Sequence, residues 1–341
     1  MSGGLVSTTA APLLSVCDLS TEFPTRHGTV HAVNGVSFEV KRGAIVGVMG
    51  ESGCGKSVTI RSILGLVPPP GRVTGGVVEF EGNDLLKMAR NDLRELRGDS
   101  IGFVAQNPFG ALNPILRVRE QFRNVIQAHR HDVSGDECDA RATSMLNDVG
   151  IPGPARVMGG YAHELSGGMA QRVVVAMAMV LDPRLVIADE PTTALDVTIQ
   201  RQILDLMQGL VRDEDRSMLM VTHDLGVVAQ YCDEVVVMYA GKVAERGRAE
   251  DVFSSPAHPY TQALIRSVPQ RGKAIEVLRG RVPDLVDYPS GCPFADRCAY
   301  VHDRCLTEAP PLYEVATSGA SRQASCHLIE EGVGVYEPRA G

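Results

Sequence analysis

Eight residues, Gly50-Glu51-Ser52-Gly53-Cys54-Gly55-Lys56-Ser57, set three glycines, a lysine and a hydroxyl in the spacing G-x-x-x-x-G-K-S. That pattern suits the gripping of a phosphate chain. The glycines let the backbone turn until successive N–H groups face inward. A helix starting near Ser57 adds its partly positive N-terminus at the same point. Lys56 would reach the β- and γ-phosphates, and the Ser57 hydroxyl would ligate Mg²⁺. The bland alternative is a glycine-rich strand–helix turn with no ligand. The flanks argue against it, because Gly43 to Gly50 is a short apolar run of strand type and Ser57 to Leu66 reads as a helix.

Other polar residues stand at the ends of apolar runs. Gln106 follows Ile101–Ala105, Asp189 and Glu190 follow Leu185–Ala188, and His223 follows Ser217–Thr222. Ligands gather at such strand ends in α/β sheets. Asp189 fits a Mg²⁺ partner and Glu190 a group that polarises a water in line with the γ-phosphate. Gln106 could reach Mg²⁺ or that water. Against these stand a helix cap with a solvated charge, an ordinary loop glutamine and a structural histidine. Ser166-Gly167-Gly168 opens a helix and forms a second anion-binding terminus. Two such sites on one chain suggest that one serves a nucleotide held by another subunit. An adenine base needs a flat partner, and Phe23 or His27 could stack on it. Equally, Phe23 is core and His27 a solvated loop residue.

The elements that must position these groups follow from periodicity. Residues 13–48 alternate apolar and polar and predict antiparallel strands around a loop from Phe23 to Gly28. After Pro68-Pro69-Pro70-Gly71, residues 75–84 read as a hairpin and 89–99 as a charged helix. Residues 116–164 are more polar and helical, a helical insertion between two parts of an α/β core. A helix is expected over 197–212. At 341 residues and 44% hydrophobic, the chain has ample material for a core, in one large domain with an appendage or in two domains. A net charge of −8 argues against nucleic acid as the main partner. No apolar run reaches the length of a membrane span. The N-terminus lacks a basic start and apolar centre, so a cytosolic location is expected, with any membrane role exerted through partners.

Taken together, these residues resemble the nucleotide-binding subunit of an ATP-binding cassette (ABC) transporter over about residues 13–255. The motifs stand in the family's order: phosphate loop, Gln106, Leu165-Ser166-Gly167-Gly168-Met169, the strand ending in Asp189-Glu190, Ala194-Leu195-Asp196, and His223. Met169 replaces a glutamine common in the family. The resemblance implies a phosphate-loop NTPase core with an antiparallel β subdomain and a helical subdomain at about 107–180. It implies two cassettes paired head to tail, with ATP between one phosphate loop and the partner's signature. Glu190 would be the catalytic base, His223 would contact the γ-phosphate, Asp196 would cross the interface, and Gln106 would link the site to the helical subdomain. The segments 106–114, 188–198 and His258-Pro259-Tyr260-Thr261-Gln262-Ala263-Leu264 look like those of bacterial dipeptide and oligopeptide importer ATPases, with nickel importers as close relatives. The partners implied are a second, often different, ATPase, two permeases and an extracytoplasmic binding protein. A soluble cassette of DNA repair or translation is the alternative from another class. It usually carries two cassettes or a long coiled coil, which this chain lacks.

Four of the eight cysteines, Cys292, Cys298, Cys305 and Cys326, fall near the C-terminus. Residues 1–12 are expected to be a disordered tail and 256–341 an extension carrying this cluster. In a reducing cytosol such a cluster favours metal over disulfides. Three readings compete: an iron–sulfur cluster; zinc, kept open by His302 and His327 although C-x2-4-C knuckles are absent; and free or paired thiols. Arg297 and Arg304 would offset thiolate charge. Peptide-importer ATPases carry a similar Cys-Pro-Phe-x-x-Arg-Cys extension, which implies a 4Fe–4S cluster.

Overall fold

The computed structural model describes residues 11–193, 195–268, 278, 280–316 and 321–330. The expected N-terminal tail, up to residue 10, lies outside the described residues, as do Ala194 and the chain after Glu330. The alternating start forms two long antiparallel strands, β1 (Leu14–Thr25) and β2 (Gly28–Val40). The loop expected from Phe23 to Gly28 shrinks to a tight turn at Arg26-His27. Pairing continues through Phe23 and Val30 to Thr25 and Gly28. Thr25 closes the turn, its hydroxyl donating to the Gly28 carbonyl at 2.7 Å and accepting the His27 N–H at 3.2 Å.

β3 (Ile45–Met49) is buried at every position, as a central parallel strand covered on both faces must be. The phosphate loop leads from it into α1 (Lys56–Ile63). β4 (Arg72–Phe80) and β5 (Asn83–Asp84) form the expected hairpin, and α2 (Arg90–Asp99) precedes β6 (Ile101–Val104). The helical part comprises α3 (Pro108–Ala111), α4 (Val118–Gln127), α5 (Gly135–Asp148), α6 (Pro154–Gly159) and α7 (Gly167–Met179). Asn107, Ser134 and Ser166 start three of these helices by accepting backbone N–H groups. The core resumes with β7 (Leu185–Asp189), α8 (Val197–Arg212), β8 (Ser217–Val221), α9 (Leu225–Tyr231), β9 (Glu234–Tyr239) and β10 (Lys242–Arg248). α10 (Ala249–Ser254) and α11 (Pro259–Arg266) follow. The extension adds α12 (Asp303–Thr307), β11 (Tyr313–Glu314), β12 (Gln323–Ala324) and α13 (His327–Glu330).

Two sheets result. One is antiparallel, in the order β2-β1-β4-β5. The other runs β11-β12-β10-β9-β3-β8-β7-β6, and its strands from β9 to β6 are parallel. Helix α1 lies between the sheets, where Ile60, Ile63 and Leu64 pack with Phe38, Val46, Val48 and Phe80. On the opposite face, Val173 and Val174 of α7 and Ile203 of α8 share a core with Phe122, Ile126 and Leu146 of the helical part. The extension continues the large sheet, because β12 pairs antiparallel with β10. Arg322 makes two bonds to Glu245 of β10, at 2.6 and 3.0 Å, with both side chains buried. Glu245 also accepts the Ala257 and His258 N–H groups, each at 2.9 Å. A buried carboxylate with this many donors is fully satisfied. Removing Arg322 alone would leave its buried charge without a counter-ion, at about 3–5 kcal/mol.

His258 sits in this junction, 3% exposed, and its Nδ1 caps α11 by accepting the Tyr260 N–H at 3.0 Å. Burial pushes its imidazole down to about 4 from the ordinary 6.5, against a bond to the Ser325 backbone that favours the charged form. A depressed folded value means that the unfolded chain takes up the proton first. The stability His258 contributes is therefore complete above pH 6.5 and lost as pH falls towards about 4. Between pH 7.5 and 5, the wild-type chain should lose about 2 kcal/mol more stability than His258→Asn, a variant that keeps a capping side chain. Urea unfolding of both proteins at the two pH values measures this, and equal losses would contradict it.

Candidate nucleotide site

The phosphate loop is packed backbone to backbone. Gly55 has φ +104°, and a Cβ there would lie 2.3 Å from the Ala32 carbonyl oxygen. Gly53 also has a positive φ, +81°, but faces open space. Lys56 is buried and folds back onto the loop, donating to the Gly50 and Glu51 carbonyls at 2.8 and 3.0 Å. Cys54 lies 3.9 Å from the Lys56 ammonium, and burial raises its thiol. Ser52 is exposed in the same loop.

The parallel order of β3, β8, β7 and β6 brings their carboxyl ends to one edge. There the Ser57 hydroxyl donates to Asp189 at 2.9 Å. Burial pushes the Asp189 carboxyl up, with the Ser57 bond pulling the other way. Next to it Glu190 adopts φ +46°, a conformation that non-glycine residues rarely hold. Its Oε2 accepts from Gln106 at 3.0 Å and from Thr193 at 2.9 Å, and lies 3.3 Å from His223 Nδ1. The structure therefore brings together Lys56, Ser57, Gln106, Asp189, Glu190 and His223. Thr193 joins them without having been singled out in the sequence. Its signal was its place in Asp-Glu-Pro-Thr-Thr, three residues after Glu190.

Ser166, Gly167 and Gly168 lie elsewhere. Ser166 caps α7 by accepting the Met169 N–H at 3.3 Å, and a Cβ on Gly168 would meet Ile199 of α8 at 2.9 Å. Asp196 caps α8, accepting from Thr198 and Ile199 at 3.1 and 3.0 Å. Phe23 stands in β1 against Gly71, half-buried, whereas His27 is exposed in the turn.

Comparison with known proteins adds a second line. The pattern described as ABC transporter matches residues 33–193, and that described as oligopeptide/dipeptide transporter, C-terminal region, matches 244–305. The dipeptide transport ATP-binding protein DppD of Bacillus subtilis is 48% identical over 84% of this chain and 86% of its own length. DppD of Escherichia coli is 44% identical over 94% of this chain and 98% of its own length. The chain belongs to the ABC transporter ATPases, in their dipeptide/oligopeptide branch. Among solved structures, the dimeric ATP-binding cassette MJ0796, bound to ADP and phosphate, is similar with a TM-score of 0.63. It is 27% identical and covers 69% of this chain and 98% of its own.

In this ABC ATPase the four C-terminal cysteines line one small apolar pocket, together with His258, Phe294 and His327. Burial raises the Cys292 thiol, takes Cys298 to about 11 and takes Cys326 to about 12. The buried Nδ1 of His327 has no hydrogen-bond partner. Among the described residues, no three His, Cys, Asp or Glu side chains converge closely enough to hold a single metal ion. The expected role of Arg297 and Arg304 as counter-charges to thiolates is corrected. Arg297 pairs with Glu51, and Arg304 pairs with Glu308 and Glu330, because a carboxylate in reach binds a guanidinium through two oxygens.

The two glycines separate strain from contact. Gly55→Ala should destabilise the chain by about 2–4 kcal/mol, and Gly53→Ala by about 1 kcal/mol. Equal midpoint shifts in urea unfolding would contradict the close approach to Ala32.

Proposed function

We propose that this ABC ATPase binds and hydrolyses ATP at the strand-end cluster and so drives uptake of dipeptides or oligopeptides through membrane partners. The observation that carries this reading is the convergence of Ser57, Asp189, Glu190, Gln106 and His223 beside the phosphate loop. Lys56 and the loop N–H groups take the β- and γ-phosphates. Ser57 and Asp189 hold Mg²⁺, which when bound offsets charge on the phosphate oxygens. Glu190 accepts a proton from the attacking water, Gln106 and Thr193 fix its carboxylate, and His223 contacts the γ-phosphate. Burial raises the Asp189 carboxyl, and a ligating carboxylate must be ionised, so protons would compete with Mg²⁺ for it as pH falls.

The site is half of a pair. Ser166, Gly167 and Gly168 present an anion-binding helix start away from this chain's own loop, and serve the ATP held by a second cassette. Asp196, at the start of α8, faces the same junction. Cassette and extension meet near residue 255, and the helical subdomain, about 107–180, carries the membrane contact. An apolar groove between β6, α4 and α7 supports this, with Phe103, Leu66 and Leu112 on its walls and Phe109 and Ile115 exposed nearby. Among the described residues no helix is long and apolar enough to cross a membrane. Two permease subunits would take up this groove and hold the ATPase at the cytoplasmic face, and an extracytoplasmic binding protein would deliver the peptide. The cargo follows from those partners. DppD relatives favour peptide over the nickel alternative.

We further propose that Cys292, Cys298, Cys305 and Cys326 hold a 4Fe–4S cluster. Their place on the wall of one small pocket supports it. Protein purified without oxygen should show a broad visible absorption band, with iron and sulfide in equal amounts, both lost in Cys298→Ser. Colourless protein containing zinc would contradict the cluster.

Glu190→Gln tests the catalytic reading. It should bind Mg·ATP, lower hydrolysis by about 10²–10⁴-fold and accumulate as a closed, ATP-bound pair. Hydrolysis at the wild-type rate would overturn the role of Glu190.

A further inference from the structure

Glu51 occupies the second position of the phosphate loop, where the motif leaves the residue type open. Its polar groups are nevertheless all held, the carbonyl by the Cys54 N–H at 3.3 Å as well as by the partners that follow. Its N–H donates to the Tyr260 hydroxyl at 2.9 Å, and its carbonyl accepts from Lys56 at 3.0 Å. Its carboxylate receives both arms of Arg297, at 2.6 and 3.0 Å. Arg297 lies 246 residues further along the chain, next to Cys298 in the extension, and its side chain is 3% exposed. It also donates to the Tyr239 hydroxyl at 3.2 Å and lies over the Tyr239 and Phe294 rings, 5.6 and 5.9 Å from their centroids. Tyr239, Tyr260 and Phe294 are themselves buried against one another, with centroids 4.6–5.4 Å apart. The guanidinium is thus built into an aromatic wall with its fork on the Glu51 carboxylate.

Resting on the nucleotide reading, we infer that Arg297 is a positioning residue for ATP binding: it holds Glu51, and with it the first turn of the phosphate loop, and it neutralises a carboxylate set beside the polyphosphate. The two effects share one sign. A planar fork bound through two parallel bonds fixes the direction of its partner as well as its charge. Without Arg297, Glu51 would keep its charge in the loop that must accept an anion, and the loop's first peptide would lose its side-chain tether. Arg297 reaches no reacting atom. Its loss should therefore appear in affinity and not in the chemical step. The extension, which the cassette motif does not require, is in this way part of the nucleotide site's support.

The test is calorimetric titration of the full chain with Mg·ATP, alongside hydrolysis rates at saturating ATP. Arg297→Gln should raise the Kd about tenfold while kcat, measured in the assembled transporter, stays within about twofold. Arg297→Lys keeps the charge without the fork and should fall between. Glu51→Gln added to Arg297→Gln should recover most of the lost affinity, because the orphaned charge is gone. A merely structural arginine would show no such rescue. An unchanged Kd in Arg297→Gln, or a double variant no tighter than the single one, would overturn the inference. A wild-type chain that failed to bind Mg·ATP would instead overturn the nucleotide reading, and this inference with it.

Discussion

Close approach at the phosphate loop governs the arrangement of the whole chain. Gly55 rests on the Ala32 carbonyl of β2, and Gly50 on the Met238 carbonyl of β9. The first contact belongs to the antiparallel sheet and the second to the parallel one. The loop can hold its shape only where both sheets present a carbonyl within van der Waals reach of a residue without Cβ. The large apolar layers on either side of α1 serve this end. They fix the sheet-to-sheet spacing that leaves room for a glycine and nothing larger. The extension closes a third side through Tyr260 and Arg297. A loop gripped by three parts of one chain is pre-organised. Binding energy for the phosphates is then not spent on ordering the backbone.

The groups around the loop show how such a site rests without nucleotide. Lys56 donates to the loop's own carbonyls, Ser57 to Asp189, and Gln106 to Glu190. Each of these side chains thus has a partner of its own, which limits the cost of burying it. The strained backbone at Glu190 is the one exception in which energy is stored at the reacting end. Ser166 and Asp196 instead satisfy helix starts within this chain.

Much of this was legible in the sequence. Apolar runs ending in Gln106, Asp189 and His223 predict buried strands with polar carboxyl ends, and β6, β7 and β8 lie there, paired in parallel. Helix α8 begins and ends at the expected residues. The turn at His27 is tighter than the sequence predicts, since Pro24 and Thr25 read as loop formers while the pairing of Phe23 with Val30 carries the ladder past them. The extension was the least legible part. Its loss of periodicity hid two short strands, because a two-residue strand has no period and β12 owes its existence to the open edge of β10. The Arg297–Glu51 pair was equally hidden, for it joins positions 246 residues apart: Arg297 stands in Cys-Pro-Phe-x-x-Arg-Cys, which points to its cysteine neighbours, and Glu51 fills an open position of the phosphate loop. Proximity in sequence ties Arg297 to the thiolates, but it says nothing about where a long side chain points.

The central claim is that this chain supplies half of each of two ATP sites. The most direct measurement is the distance between a spin label at the exposed His163, three residues before Ser166, and one beside the phosphate loop of the paired cassette. Pulsed EPR on the assembled transporter, with hydrolysis blocked, would compare samples with and without Mg·ATP. A short, narrow distance distribution that appears only with Mg·ATP is the predicted result. A distribution unchanged by nucleotide would contradict the shared site.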